Sequence, residues 1–393
     1  MFFCNSPEIE DAAIYPAVRA ALKARLEQAL PCLACAPSSE EIHTVASNIR
    51  KRFQTVLVLG TGGSSLGGRV LSSLSQDPCA PRMIFLDEIH PEIFYASVLA
   101  CCPENTAVIV ISKSGETAET LCQLLALFRH FLPPQRSDQF FVLTEASPSS
   151  LRSLSKAYGF TCLSLSSDIG GRFSVLSLVG LFPALVAGVD EVLLLEGARY
   201  LLHLAQQQKT ELVHSLAFAI QGARKACHNV LLSYDARFTP LTLWHRQLWA
   251  ESLGKNGIGT VPIVARGTVD QHSQLQLYLD GPRDKVYTVL SVQQQDTRPL
   301  FDATGVATQL GYLQGRTMGD LLAAECQATC DELSAQGLAV RLLGLKTFDA
   351  HTMGALLAYF MCEVIVVADV LGVNPFDQPA VDRIKNRAQE ILS

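Results

Sequence analysis

From residue 55 onward, short apolar runs alternate with stretches in which apolar residues recur every three or four positions. The run TVLVLG predicts a strand and SSLGGRVLSSLS a helix. RMIFLD with PEIFYASVLA repeats the pair, TAVIVIS with ETAETLCQLLALFRHFL repeats it again, and QFFVLTE adds another strand. Apolar strands separated by helices predict βαβ units and a parallel sheet covered on both faces. Residues 1–45 read as mostly helical, with PAVRAALKARLEQAL amphipathic, and residues 174–208 as a long helical region closing the first unit. A second unit follows: a helix over 210–227, strand NVLLSY, helix LTLWHRQLWAESL, strands KVYTVL and LAVRLLGL, and helix HTMGALLAYFMCEVIVVADVL. PAVDRIKNRAQEIL predicts a short final helix. The expected fold is α/β, with two similar three-layer units of mainly parallel sheet flanked by helices. The expected divisions are a helical segment (1–45), a first domain (46–205), a second domain (206–375) and a helical tail (376–393).

Composition narrows the function classes. With 49% hydrophobic and 17% charged residues the chain reads as globular. A net charge of −6 offers no general attraction to nucleic acid or an anionic membrane, so an anionic ligand must be held by local groups. Of twelve cysteines, only Cys32 and Cys35 form a CxxC pair, with no second pair to complete a zinc site. Cys122 and Cys362 sit in apolar runs as small hydrophobes. Reduced thiols in a cytoplasmic protein are expected, with no metal. The first ten residues lack the pattern of a signal peptide. The apolar run Val175–Val189 is broken by Gly180 and Pro183 and is too short to span a bilayer; a buried helix is expected there, and no membrane partner.

Two turns carry candidate chemistry. In VLVLGTGGSSLGGRVL, Gly60, Gly62, Gly63, Gly67 and Gly68 follow a strand and lead into a helix, where backbone N–H groups can approach an anion. Tight helix–sheet packing explains glycines there equally well. A dinucleotide is a rival ligand: Asp87 ends the next strand, but Ser65 stands where the third glycine of GxGxxG belongs. SKSGETAET begins at the end of another strand of the same sheet. Ser112, Ser114 and Thr117 could donate hydroxyls to an anion, or Ser114 could simply cap the following helix. Two such turns on one sheet edge favour a phosphate monoester. A bound dianion would repel Glu116, whose carboxylate is therefore expected to face away from the site.

Four charged or titratable residues stand where a bland residue would serve. Arg172, in GGRFSVLS, precedes a helix start, which disfavours a cation unless it is enclosed with an anion. In LTLWHRQLWAESLGK, Trp244, Leu248 and Glu251 fall at i, i+4 and i+7, so the carboxylate continues an apolar stripe, with Gln247 one turn back. Such a carboxylate serves either as a structural cap partner or as a base. Lys385 lies among Val381, Ile384, Ala388 and Ile391, where a snorkelling stem is the common explanation. His272, in GTVDQHSQLQLYLDG, fits either an alternating strand or a short helix capped by Asp270.

The blocks GTGGSSLGG, SKSGETAET, GGRFSVLS, the span AESLGKNGIGTVPIVARGTVDQHSQLQLYLDGPRDK and LGVNPFDQPAVDRIK together resemble the glucose-6-phosphate isomerase family, over residues 50 to 390. That resemblance implies two sugar-isomerase (SIS) domains and reversible isomerisation of glucose 6-phosphate and fructose 6-phosphate through a cis-enediolate, in glycolysis and gluconeogenesis. It implies that Ser64, Ser112, Ser114 and Thr117 bind the phosphate, with backbone N–H groups near Gly63 and Lys113. It also implies that Glu251 is the base, that Arg172 steadies the enediolate, and that His272 and Lys385 assist ring opening. Gln247 and Gln378 would line the sugar. A homodimer in which the histidine comes from the partner subunit is implied, and no cofactor. Ala380 and Asp382 stand where the family commonly has Gly and Glu. The competing readings are an isomerase that also accepts mannose 6-phosphate, a non-catalytic sugar-phosphate-binding protein, and a nucleotide-dependent dehydrogenase.

Overall fold

The computed structural model describes residues 2–33, 38–293, 300–302, 305 and 308–392; the side chains of residues 2–5, 27–33, 134, 308, 382–383, 385–386 and 389 lie outside that description. Among the described residues the strands are, in chain order, β1 (Phe2–Asn5), β2 (Thr55–Leu59), β3 (Arg82–Leu86), β4 (Thr106–Ile111), β5 (Phe140–Glu145), β6 (Thr161–Leu165), β7 (His228–Ser233), β8 (Val261–Arg266), β9 (Lys285–Val292) and β10 (Ala339–Leu345). They form two five-stranded sheets, ordered β3-β2-β4-β5-β6 and β1-β10-β9-β7-β8. Every pairing is parallel except β1 with β10, where Phe2 lies opposite Leu345.

The sequence expectation of two α/β units holds, with differences at the margins. β1 lies in the segment expected to be helical and adds an antiparallel edge to the second sheet. β6 and β8 were not anticipated. β8 is an edge strand, exposed at both ends, and an edge tolerates Pro262 within it. The long helical region over 174–208 is instead a 3₁₀ turn, Gly171–Leu176, then helices Leu178–Val186 and Glu191–Gln206, separated at Gly188 with φ +84°. Around His272 the helical alternative is correct: Gly267–Gln271 and Leu275–Asp280 are short helices, with Asp270 inside the first and not at its cap.

The first sheet is covered on both faces, because β2 and β4 are apolar and buried almost throughout. A third core lies between the units, where Glu191–Gln206 packs against the helix Ala350–Leu371. Glycines permit that crossing: a Cβ at Gly197 would lie 1.8 Å from His351 O, and one at Gly354 would lie 1.8 Å from Leu194 O. Ala350–Leu371 is long and apolar enough to cross a membrane, yet it is buried within the fold. It carries Glu363, fully buried and paired with Arg341 at 2.5 Å.

His245, on the helix Thr239–Leu253, is buried against Phe360 of the same central helix. Burial, reinforced by the nearby Arg341 charge, lowers its pKa from 6.5 to about 3. The unfolded chain therefore binds a proton in a window where the folded chain does not. Stability is expected to fall as pH drops from 6.5 towards 3, and this residue can contribute up to about 1.4 kcal/mol per pH unit. Urea unfolding at pH 7 and pH 5 checks this, since His245→Gln should flatten the difference between the two.

Candidate functional site

The first sheet reverses strand order between β2 and β4, and α/β sheets bind ligands at the carboxyl ends of strands at such a point. The glycine turn follows β2 and the hydroxyl turn follows β4. The two are in contact, because a Cβ at Gly60 would lie 3.1 Å from Ile111 O. Gly62 adopts φ +58° and the helix Gly63–Ser72 begins directly after it. Ser64, half-buried, stands in its first turn.

In the second turn Ser112 is buried, accepts from Gly115 N at 3.1 Å and shares a hydrogen bond with Thr117 Oγ1 at 2.9 Å. Ser114 is not the helix cap. The N-cap of Ala118–Phe131 is Thr117, whose side chain makes no capping hydrogen bond, because an extra bend at Gly115 (φ +68°) delays the helix. Ser114 is exposed and accepts from Glu116 N at 3.2 Å. Glu116 is turned onto the start of another helix, Ser150–Tyr158. It accepts there from Ser150 N at 2.6 Å and Ser150 Oγ at 2.7 Å, which hold its carboxyl below the usual range. Lys113 Nζ donates to Ser167 O at 2.7 Å and lies 3.5 Å from Glu145. Ser64, Lys113 and Gly171 border a cavity of about 400 Å³.

Gly171 brings the next element against the glycine turn. A Cβ at Gly63 would lie 2.3 Å from the carbonyl carbon of Gly171, so the two backbones touch. Ser174 Oγ donates to Gly171 O at 2.6 Å and stabilises the 3₁₀ turn that carries Arg172. Arg172 is only 3% exposed. All five of its N–H groups are directed at acceptors. Nε donates to Ser252 Oγ at 2.8 Å, and Nη1 donates to Glu251 Oε2 at 3.3 Å and Gln378 Oε1 at 3.2 Å. Nη2 donates to Pro375 O at 2.5 Å and Asp377 O at 2.8 Å. Burial pulls the guanidinium below its ordinary pKa, and the Glu251 carboxylate opposes that shift.

Glu251 sits at the end of the helix Thr239–Leu253, which packs against Gly63–Ser72 and thereby faces the glycine turn. Its side chain is 30% exposed. Gln247 Nε2 donates to Glu251 Oε1 at 3.0 Å, as the i, i+4 spacing suggested, and lies 3.0 Å from where a Cβ of Gly62 would stand. Among the described residues, Gln247 Oε1 is buried without a partner. The carboxylate is thus oriented by an amide on one oxygen and a cation on the other.

Arg172, Gln247, Glu251 and Gln378 therefore converge beside Gly63. His272 does not join them within this chain. It is exposed, at the end of Gly267–Gln271, and no hydrogen bond or ion pair links its side chain to that group among the described residues. Lys385 lies on the helix Asp382–Leu392, but its side chain is outside the described residues. Asp87, the residue that suggested a dinucleotide, is already engaged by Arg69 at 2.9 Å and by Ser65 Oγ at 3.4 Å. Sequence reasoning missed Ser252, the carbonyls of Pro375 and Asp377, and Lys255. The signal was weak: Ser252 merely adjoins Glu251, and a backbone acceptor leaves no mark on residue type.

Comparison with known proteins points one way. The phosphoglucose isomerase family matches residues 39–393. The glucose-6-phosphate isomerase of Rubrobacter xylanophilus is 35% identical over 404 aligned positions, covering 95% of this chain and 91% of that one. Among solved structures, a hypothetical protein from Thermus thermophilus superposes with a TM-score of 0.83 at 28% identity, covering 100% of both chains. A glucose-6-phosphate isomerase from Chlamydia trachomatis superposes with a TM-score of 0.75 at 22% identity, covering 96% of this chain and 78% of that one; it shares the fold.

Proposed function

The chain belongs to the phosphoglucose isomerase family and interconverts glucose 6-phosphate and fructose 6-phosphate; from that premise we propose that Glu251 moves the proton, with Arg172 beside it to hold the charge that develops. The observation that carries this reading is the buried Arg172 bonded at once to Glu251 and Gln378.

The phosphate is held by Ser64, Ser112, Ser114 and Thr117, with backbone N–H groups near Gly63 and Lys113 at the two touching turns. Binding there, remote from the reacting carbons, orients the sugar, whose hydroxyls meet Gln247 and Gln378. Glu251 takes the proton from C2 of the aldose, or C1 of the ketose, and returns it to the other carbon. Between those steps the cis-enediolate carries negative charge, and Arg172 opposes it without losing its own proton. Because the guanidinium is saturated by fixed acceptors, it need not reorganise as that charge appears. His272, with Lys385, moves a proton to and from the ring oxygen during ring opening.

This reading makes the protein a homodimer in which His272 reaches the site of a second copy. Its exposure, near exposed Val269 and Leu277, supports that arrangement, as does its lack of a bond to Glu251 within one chain. Nine free cysteines among the described residues fit a reducing compartment, and a cytoplasmic location is part of the same reading. Co-expression of two differently tagged variants, Glu251→Gln and His272→Ala, tests the arrangement. In a mixed dimer one site carries both defects and the other neither. Purified mixed dimers should recover about half the activity of the unaltered dimer while each parent stays nearly inactive. Activity no higher than in the parents would mean that His272 does not cross.

A further inference from the structure

Resting on that reading, we propose that Lys255, through its pairing with Asp377, is a positioning residue that ties the loop 374–378 to the helix bearing Glu251 and so sets where Arg172 and Gln378 stand.

Lys255 lies two residues past the end of the helix Thr239–Leu253. Its backbone is held by a tight turn: Lys255 N donates to Ile258 O at 3.2 Å and Ile258 N to Lys255 O at 3.0 Å. Asn256 and Gly257 lie between them at φ +54° and +77°. The side chain therefore leaves from a fixed point, and it is only 10% exposed. Its ammonium donates to Asn374 O and pairs with Asp377 Oδ1 at 2.7 Å.

Asp377 works at both ends. Its carboxylate meets Lys255, while its backbone carbonyl accepts from Arg172 Nη2 at 2.8 Å. The rest of the loop is built around the same contact. Asn374 Oδ1 accepts from Phe376 N at 3.0 Å, closing a local turn, and the Phe376 ring rests on Phe173 with centroids 5.2 Å apart. Gln378, next in the chain, reaches Arg172 Nη1.

Two consequences follow from loss of the Lys255 charge. The loop loses its tie to the catalytic helix, so the carbonyls that fix Arg172 Nη2 shift. The Asp377 carboxylate also becomes an unpaired anion near Arg172 and competes with Glu251 for the guanidinium. Global stability has little stake in the pair, since the Asp377 side chain is 51% exposed and such ion pairs are screened.

The test uses the full chain with Lys255→Met, Asp377→Ala, their double variant, and Lys255→Arg as the conservative control. Five quantities are read: kcat and KM for fructose 6-phosphate, the urea midpoint, and the affinity for each of two phosphate esters. One ester is a sugar-acid phosphate whose carboxylate stands in for the enediolate; the other is sorbitol 6-phosphate, which has no such charge. For Lys255→Met, kcat should fall on the order of 10- to 100-fold, as misplacement of a catalytic group by about an ångström does. Affinity for the acid phosphate should fall comparably, while KM, sorbitol 6-phosphate affinity and the urea midpoint stay within about twofold or unmoved. Lys255→Arg should recover most of the loss, and the double variant should be no worse than Lys255→Met, because both remove one shared interaction. An unchanged kcat would overturn the proposal. So would a parallel loss of both esters with a lowered urea midpoint, or additive losses in the double variant. The functional reading is tested separately by turnover in the unaltered chain, whereas the ester pair reads the loop independently of turnover.

Discussion

Replacing Glu251 with Gln is expected to lower kcat for fructose 6-phosphate by about 10⁴-fold, at the upper end of what a positioned general base contributes. The fold and phosphate binding should survive. The amide is nearly the same shape as the carboxylate, and its oxygen still accepts from Arg172 Nη1. Its NH₂ would meet Gln247, whose own amide can turn so that Oε1, which has no partner among the described residues, accepts from it. What the amide lacks is basicity towards a proton on carbon. A coupled assay reads the rate, and sorbitol 6-phosphate titration shows that binding persists. Turnover near that of the unaltered chain would remove Glu251 as the base.

Arg172→Lys is the second large effect, although it keeps the charge. An ammonium has three donors in place of five and no planar fork. Ser252 Oγ, Glu251, Gln378 and the carbonyls of Pro375 and Asp377 cannot all be met. The expected loss in kcat/KM is on the order of 10²- to 10³-fold, the scale of preorganised electrostatic stabilisation of a developing negative charge. Unlike the Glu251 variant, this one should also be less stable, by about 1–3 kcal/mol for each buried acceptor left without a donor. Steady-state kinetics with urea unfolding measures both. Activity within about threefold of the unaltered chain, with unchanged stability, would mean that the guanidinium is only a structural tie.

How far the sequence could be read depended on whether a signal was local. β2 and β4 were legible because strands buried on both faces are continuous apolar runs. β6, with exposed and half-buried positions, and the edge strand β8 carry no such run. β1 is defined by pairing with a strand more than 300 residues away. The same division runs through the site. Gln247 and Glu251 are one helical turn apart, so their contact follows from spacing. Arg172 meets Glu251 across 79 residues and Gln378 across 206, and only the family resemblance joined them beforehand. In SKSGET, two hydroxyls compete for the cap position, and the bend at Gly115 decides for Thr117 through a backbone angle that residue types alone do not specify. Glu116 was expected to avoid the phosphate, and its partner, Ser150, comes from a helix 34 residues on. Lys255 left no sign at all, because its partners are a distant carboxylate and a carbonyl.

The central claim is that one carboxylate, Glu251, carries the proton between C1 and C2 through an enediolate. It is tested most directly by incubating the protein with fructose 6-phosphate in heavy water and following the products by NMR, alongside the Glu251→Gln variant. The account predicts glucose 6-phosphate with some deuterium at C2 from the unaltered chain, and neither product nor deuterium exchange at C1 from the variant. Product formation, or exchange at C1, that persists in the variant would contradict it.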